Sequence, residues 1–396
     1  MDTQTSREGQ MVFEFERETT RNARMKVVGV GGAGGNAVNR MIDENLDGVE
    51  FVAINTDAQA LSNCSAHISL QVGRKLTRGL GAGARPEVGR QAIAENEEEV
   101  RRALEGADLV FVTAGMGGGT GTGAAPRVGQ IASEMGALVI AIVTRPFNFE
   151  GKKRMRHAEM GLRDLRRSVD TMIVVPNEKL LSVVGKGTTF RAALKKADEV
   201  LLHATQGISD LISVTGEVNV DFADVRTVMS NRGAALMGTG EATGEDRAVD
   251  AAQQAICSPL LDSVSINGAT GVLVNISGGM DLAIDEVTTV NSIVQEAAGD
   301  EAEMIFGAVH DPNLDGKLRV TVIATGFGEH VEDEPAPSLK VVPVESEPIV
   351  RPRLVSVIGG GSTPVSRTLP EIGSAFTGRS QVEDLEIPTF IRRQMD

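Results

Sequence analysis

Two glycine-rich runs each follow a short apolar stretch and precede a helical pattern. The first spans residues 29–36 and the second residues 115–123, where six of nine residues are glycine. Glycine lets successive backbone N–H groups turn towards one point, and a helix N-terminus adds a positive dipole. Both runs therefore predict places where an anion approaches the backbone. Two such runs favour a nucleotide with several phosphates.

A third glycine-rich segment, residues 79–86, could close over a terminal phosphate. The chain has no G-x-x-x-x-G-K-[ST] motif, so a P-loop site is excluded. The first run also matches G-x-G-x-x-G, with Asp57 downstream, which is the dinucleotide fingerprint of Rossmann dehydrogenases. An oxidoreductase therefore remains an alternative, although it would not need the second run.

Two carboxylates, Asp221 and Asp224, stand three residues apart near a predicted helix start and so share one side of the turn. A helix cap plus a surface acid explains the same spacing. The residues alone leave both interpretations open.

Composition excludes several classes of protein. The net charge of −15 over 396 residues argues against a general nucleic-acid binder or a polybasic membrane protein. The two cysteines, Cys64 and Cys257, and five scattered histidines show no metal-ligand spacing, so no protein metal site is predicted. We find neither a signal-peptide pattern nor a membrane-spanning apolar run, and expect a soluble intracellular protein.

Strands and helices alternate from residue 25 onwards. Strands are predicted at residues 25–30, 50–55, 109–114, 138–143, 171–175, 264–267, 271–276, 303–309 and 318–325. A helix is predicted from about Asn36 to Glu44, and a long buried helix from Phe190 to Ser213 links two halves. The fold class is therefore α/β, with a Rossmann-like parallel sheet, a long central helix and a second, smaller α/β domain.

The composition changes after His330, where prolines become frequent and large apolar residues lose any period. This predicts a disordered linker. Apolar residues return in the last segment, from Leu385 to Ile391, which is typical of a short docking peptide.

The residues Gly115–Gly123, GMGGGTGTG, carry a resemblance to the tubulin/FtsZ family of GTPases. The match continues through most motifs between Val27 and Gly326, about 300 residues. The end of the chain, Asp384–Arg393, resembles the partner-binding peptide of bacterial members. The resemblance implies the following domains: arm, 1–24; GTP-binding domain, 25–189; central helix, 190–213; second, GTPase-activating domain, 214–328; linker, 329–383; partner-binding peptide, 384–396.

The resemblance also implies a GTP site. The positions that match the family's phosphate loops are Gly31, Gly32, Asn36, Gly83, Ala84, Gly117, Gly118, Gly119, Thr120, Gly121 and Thr122. The positions that match the ribose and phosphate contacts and their segment are Thr144, Pro146, Glu150 and Arg154. The positions that match the base contacts are Asn177, Leu194 and Asp198. A carboxylate such as Asp198 can accept from guanine N1–H and the 2-amino group, whereas adenine lacks this donor pair.

Two positions depart from the pattern. Leu194 stands where many relatives place a phenylalanine against the base, and Arg85 stands where many carry a small polar residue.

The resemblance finally implies a mechanism and partners. GTP and Mg²⁺ would sit in one subunit, while Asn219, Asp221 and Asp224 of the neighbouring subunit orient the attacking water. Subunits would join head to tail into filaments of the cytokinetic ring, in the cytoplasm at mid-cell. Membrane-anchoring and regulatory division proteins would bind Asp384–Arg393, without nucleic-acid binding or direct membrane insertion. A further alternative is a tubulin-like scaffold that binds the nucleotide without hydrolysing it efficiently. The presence of Asp221 and Asp224 argues against this alternative.

Overall fold

The computed structural model describes residues 23–183, 189–213, 220–230, 233–261 and 266–327. The first 22 residues of the predicted arm lie outside this part of the chain. So do Asn219, the predicted linker and the predicted partner-binding peptide. These predictions stay untested, and so do the predicted domain boundaries.

The described residues form ten strands and twelve α-helices, with three single 3₁₀ turns between them. The strands are β1 (Met25–Val30), β2 (Val49–Asn55), β3 (Ile68–Gln71), β4 (Leu109–Gly115), β5 (Leu138–Arg145), β6 (Thr171–Pro176), β7 (Gly233–Thr243), β8 (Gly271–Gly278), β9 (Glu303–His310) and β10 (Lys317–Thr325). The helices are α1 (Gly31–Asp43), α2 (Ala58–Ser62), α3 (Arg74–Thr77), α4 (Pro86–Glu95), α5 (Glu97–Leu104), α6 (Thr120–Glu134), α7 (Lys152–Arg166), α8 (Asn177–Val183), α9 (Phe190–Ser213), α10 (Phe222–Met229), α11 (Arg247–Ile256) and α12 (Ile284–Ala298).

Within the described residues, the strands make one sheet in the order β3-β2-β1-β4-β5-β6-β7-β10-β8-β9. The first seven strands of that order are parallel to their neighbours, with Met25 opposite Val49 on one side and Leu109 on the other. The carboxyl ends of β1, β2, β4, β5 and β6 therefore meet at one edge, which we call the carboxyl edge. The order reverses between β1 and β4, the position at which doubly wound sheets bind nucleotides.

The second half of the sheet turns back at β10, which is antiparallel to both β7 and β8. Strand β9 then pairs parallel with β8. Because β10 runs against β7, its last residue, Thr325, lies at the amino ends of β6 and β7. We call that edge of the sheet the amino edge.

Helices cover both faces of the sheet. Side chains of α1, α9 and α10 pack on one face. Helices α4 to α7 bury their apolar residues on the other face, and α11 and α12 cover the same face of β8 and β10. The strands of a sheet covered on both sides are apolar throughout, and β1 is buried at all six positions. The predicted α/β fold is confirmed.

Three local predictions were wrong or incomplete. Helix α1 begins at Gly31, so most of the first glycine run is helix and not loop. Strands β3 and β7 were not predicted; β7 contains three glycines and three alanines, which have low strand propensity. The strand predicted at residues 264–267 is wrong for Ile266 and Asn267, which lie in a turn, and its other residues are outside the described part.

Candidate functional site

The N-terminus of α1 is open to an anion. Its N-cap position is Val30, which offers no side-chain hydrogen bond, and its first turn contains no acidic residue. The first N–H groups of a helix have no intrahelical partner and sit at the positive end of the dipole. An anion is therefore the natural partner for this turn, which follows β1 at the carboxyl edge.

The N-terminus of α6 has the same character. Its N-cap position is Gly119, again without a side-chain cap or an acid in the first turn. The two threonines of this turn are oriented by the protein itself. Thr120 Oγ1 lies 2.7 Å from Thr56 Oγ1, and Thr122 Oγ1 accepts a hydrogen bond of 2.8 Å from the Gly117 backbone. Thr56, at the end of β2, was not singled out from the sequence; its place directly after a buried strand was the available signal.

The three glycine segments interlock at this edge. Gly31 has a φ of +76°, and a Cβ placed on it would lie 2.9 Å from the Gly121 backbone nitrogen. A Cβ on Gly119 would lie 2.7 Å from Ala82 Cβ in the third segment. That segment has positive φ at Gly83 and at the non-glycine residue Ala84. The predicted phosphate loops are therefore close together in space.

Other glycines of these loops face open space instead. A Cβ on Gly32, Gly35 or Gly118 would meet no atom within 4 Å. Gly32 and Gly35 also line a cavity of about 340 Å³ that includes Asn36. The loops are thus tightly packed where they contact one another and open at Gly32, Gly35 and Gly118. This shape leaves room for a chain of phosphates.

Residues at the end of β5 and after it extend the same edge. Thr144 is buried, and its carbonyl accepts from the Met116 backbone N–H at 2.9 Å. A Cβ on Gly117 would lie 3.3 Å from Pro146 Cγ and 2.8 Å from the carbonyl oxygen of Arg154. Glu150 pairs with Arg154, with Oε2 2.8 Å from Nε, and its other oxygen accepts from the Phe147 backbone. Glu150 therefore holds the half-exposed Arg154 side chain beside the second loop.

Asn177, the first residue of α8 after β6, is buried with its Oδ1 unpaired within the described residues. A buried polar oxygen without a partner costs free energy, so it needs a donor from elsewhere. A base with N–H groups would supply one.

Asp198 and Leu194 lie one turn apart on α9, which packs against α1. Burial raises the pKa of Asp198 to about 6, and the charge of Arg40 on α1 opposes this rise. Asp198 forms no ion pair or hydrogen bond in the part of the chain that the structure describes. Leu194 is 39% exposed, so apolar area is available next to this carboxylate.

Asp57, on which the oxidoreductase alternative depends, caps α2. Its Oδ1 accepts from the backbone nitrogens of Gln59 at 2.9 Å and Ala60 at 3.2 Å. This carboxylate already has a local structural role, which weakens that alternative.

Asp221 and Asp224 lie at the opposite edge of the sheet from the glycine loops. They open α10, where Asp221 is the N-cap and accepts from Ala223 N at 3.2 Å, while Asp224 is exposed. The carbonyl of Met229 at the end of α10 accepts from Thr171, the first residue of β6, and the carbonyl of Val228 from Thr325 at 3.1 Å.

The strands separate α10 from the loops by the length of six or seven residues, roughly 20 Å. The structure therefore brings the predicted phosphate residues together but does not bring Asp221 and Asp224 to them. Asp221 Oδ1 therefore caps α10, as the capping interpretation has it. The other carboxylate oxygen takes no part in this cap.

No group of three or more His, Cys, Asp or Glu side chains is arranged to hold a metal ion among the described residues. Likewise, none of the described helices is long and apolar enough to cross a membrane.

Comparison with known proteins gives consistent matches. The model of the tubulin/FtsZ family GTPase domain matches residues 24–185, and that of the FtsZ family C-terminal domain matches residues 233–328. A structure of an empty FtsZ dimer from M. jannaschii is 46% identical, with a TM-score of 0.74 over 77% of this chain and 88% of that one. CetZ1 from Haloferax volcanii, in a GDP-bound monomer, shares the fold at 21% identity, with a TM-score of 0.68 over 77% of this chain and 95% of that one.

Proposed function

The chain belongs to the FtsZ branch of the tubulin/FtsZ GTPase family, and from this membership we propose that it binds and hydrolyses GTP in head-to-tail filaments. The filaments would form the cytokinetic ring in the cytoplasm at mid-cell. One observation carries the proposal. The phosphate-binding loops and the carboxylates Asp221 and Asp224 occupy opposite edges of one sheet.

The residues present fit GTP. Its phosphates would meet the uncapped N-termini of α1 and α6, where Gly32 and Gly118 leave open space. Asn177 Oδ1 and Asp198 are acceptors without partners in the described residues, and guanine offers the N–H donors that both require. Mg²⁺, bound with the nucleotide, would neutralise phosphate charge, since the described residues provide no metal cluster of their own.

The carboxylates have no access to the nucleotide of their own subunit, because the length of the strands separates them. Stacking a second subunit with its amino edge on the first subunit's carboxyl edge brings Asp221 and Asp224 to the phosphate loops. This contact is heterologous, and it repeats without closing, so it generates a filament. The FtsZ and CetZ structures similar to this chain include a dimer and a GTPγS-bound protofilament.

Hydrolysis in this arrangement depends on positioning. The free oxygen of Asp221 and the exposed carboxylate of Asp224, with Asn219, would orient a water for attack on the terminal phosphate. Phosphoryl transfer to water needs an aligned nucleophile and stabilised charge more than covalent chemistry. Because the two halves of the site come from different subunits, assembly would switch hydrolysis on.

Partners are proposed for the end of the chain. Asp384–Arg393 has four large apolar residues and two arginines, which suits a groove on a membrane-anchored or regulatory division protein. Such adaptors would place the filaments at the membrane.

The test is GTP hydrolysis per molecule as a function of protein concentration, with Mg²⁺ present and polymer measured by sedimentation. We expect almost no hydrolysis below a threshold concentration and a plateau above it, with polymer appearing at the same threshold. A rate per molecule that is independent of concentration, without polymer, would mean that each subunit is complete alone.

A further inference from the structure

Arg85 ends the third glycine segment and directly precedes Pro86, the first residue of α4. Proline restricts the residue before it to extended backbone, and Arg85 has a φ of −113° and a ψ of 104°. A Cβ on Gly119, the N-cap position of α6, would lie 2.9 Å from the Arg85 backbone nitrogen and 3.2 Å from its carbonyl oxygen. The backbone of Arg85 is therefore held against the N-terminus of α6.

The side chain of Arg85 turns back over the third glycine segment. Its Nε lies 4.0 Å from the position that a Cβ on Gly83 would take, and Gly83 and Ala84 both have positive φ. Arg85 is exposed, and its side chain makes no ion pair or hydrogen bond within the part of the chain that the structure describes. An unpaired guanidinium therefore lies at the third glycine segment, next to the N-terminus of α6.

This cation is placed unfavourably in the free protein. Arg85 is the N-cap residue of α4 and contacts the N-cap residue of α6, and the N-terminus of a helix carries partial positive charge. The acid in the first turn of α4, Glu87, makes no ion pair with Arg85. By contrast Arg154, beside the second glycine run, is paired with Glu150. An anionic ligand at the third segment would relieve the repulsion between Arg85 and the two helices.

The order of the strands indicates which end of a nucleotide Arg85 would meet. Asn177, the proposed base contact, follows β6, whereas Leu80 in the third glycine segment forms a β-bridge with Asp57, just after β2. Four strand spacings, about 19 Å, separate β2 from β6 in the sheet, and the first two glycine runs follow the strands between them. A nucleotide with its base near Asn177 would therefore cross both runs and present its last phosphate to Arg85.

We propose that Arg85 donates to the oxygens of the third phosphate and thereby distinguishes a nucleoside triphosphate from a diphosphate. A guanidinium can give two parallel N–H bonds to one phosphate, and charge-assisted bonds of this kind are about twice as strong as neutral ones. A diphosphate would end over the helix N-termini and leave Arg85 without a partner. The inference rests on the nucleotide site of the proposed function, but it does not depend on filament formation.

The experiment measures the dissociation constants of GTPγS and of GDP, each with Mg²⁺, by titration calorimetry on the full chain. The protein concentration is kept where sedimentation detects no polymer. Arg85→Gln should weaken GTPγS binding about tenfold, because the charge-assisted contact is lost, and should change GDP binding less than about twofold. Arg85→Lys keeps the charge without the planar fork, so its GTPγS affinity should lie between those of Arg85→Gln and the wild type.

Arg102→Gln is the matched control, since it removes an exposed arginine near the start of β4, at the amino edge. It should leave the affinities for GTPγS and GDP unchanged. The melting temperature of nucleotide-free Arg85→Gln should equal or exceed that of the wild type, because a repelled charge is removed.

An unchanged GTPγS affinity in Arg85→Gln would overturn the inference. An equal loss of affinity for both nucleotides, with a lower melting temperature, would give Arg85 a structural role and would overturn it too. A wild type that binds neither nucleotide would overturn the proposed function itself. A wild type that binds both and never forms polymer would overturn only the proposed filament, and the contrast between GTPγS and GDP would still decide the role of Arg85.

Discussion

Gly31 and Gly121 approach so closely that a Cβ on the first would lie 2.9 Å from the backbone nitrogen of the second. This contact joins the first turn of α1 to the first turn of α6, so the two helix N-termini are held as one unit. The two proposed phosphate loops therefore depend on each other's position.

Gly31→Ala should destabilise the fold by about 2–4 kcal/mol, because alanine is strained at positive φ and its methyl would also collide with Gly121. Thermal unfolding followed by circular dichroism measures this change. Gly32→Ala is the control: its methyl meets open space, so stability should be unchanged, while GTP binding weakens about tenfold or more. Equal melting temperatures for the two variants would contradict the packing argument.

Asp224→Ala should bind GTP and assemble but hydrolyse it about 100-fold more slowly, the usual loss when a group that positions the nucleophile is removed. The exposed side chain has no structural partner in the described residues, so folding should not change. The measurement is phosphate release above the assembly threshold, with Asp300→Ala as a matched change of an exposed acid. Wild-type turnover in Asp224→Ala would exclude the proposed role.

Asp221 combines a cap with a proposed catalytic charge, and two substitutions separate them. Asp221→Asn keeps a capping oxygen for Ala223 N and removes the charge, so hydrolysis should fall while stability stays within about 0.5 kcal/mol. Asp221→Ala should in addition lose about 1 kcal/mol of stability. Urea unfolding and phosphate release together distinguish the two effects; unchanged hydrolysis in Asp221→Asn would leave the residue a cap only.

GTP affinity should depend on the protonation of Asp198. The pKa of this carboxyl is raised to about 6 in the free protein, whereas the donors of guanine require the carboxylate. Lowering the pH to about 5 should therefore weaken GTP binding about tenfold, because only the ionised fraction is competent.

The stability of the free protein has the opposite pH trend. Since the folded pKa lies above the unfolded one, the contribution of Asp198 to stability is full below about pH 4 and is lost as the pH rises through about 6. Asp198→Asn should bind GTP weakly at both pH values and lose the pH dependence. Titration calorimetry of GTP binding at pH 5 and pH 7.5 tests this prediction. A GTP affinity of the wild type that does not change with pH would exclude Asp198 from the base site.

Arg247 is the buried charge of the second half of the molecule. Its guanidinium is bonded to Glu286 at 2.5 and 2.9 Å and to Asp281 at 2.6 Å, and it lowers the pKa of both carboxyls. Arg247→Leu should cost about 3 kcal/mol, since Glu286 is left mostly buried without a cation.

The wild type should also lose this part of its stability as the pH falls through the lowered pKa values of the two carboxyls, because protonated carboxyls no longer pair with the guanidinium. Lys317→Ala, which breaks an exposed pair with Glu241, should cost less than about 1 kcal/mol. Urea midpoints measured from pH 3 to pH 7 test both statements. A pH-independent difference between Arg247→Leu and wild type would contradict the assignment.

Much of the fold was predictable because its strands are short, apolar and bounded by glycines. Strand β1 and helix α9 have the predicted boundaries, since burial on both faces and a long three- and four-residue period leave little ambiguity. The start of α1 was not predictable from propensity, because glycine is a poor helix former. Packing of Gly34 against Gly29 and the Thr113 carbonyl overrides that propensity.

The candidate site, like the fold, was predictable only in part. The glycine pattern indicated the phosphate loops, and the topology then placed them side by side. No local pattern could show that Asp221 lies at the far edge, because the order of strands in space decides that. Asp198 gave no signal of its own among the charges of α9; its burial emerges only when α9 packs on α1.

Because the phosphate loops and the two carboxylates lie at opposite edges of the sheet, the number of complete active sites would differ from the number of nucleotides. In the proposed filament, a row of n joined subunits would have n nucleotides but only n − 1 complete active sites, because the outermost nucleotide would face no neighbour. The outermost GTP would not be hydrolysed until another subunit joined, so each addition would start hydrolysis in the subunit added before it. The state of the nucleotide in each subunit would therefore reflect how long ago the next subunit joined, with the most recently added subunit at one end.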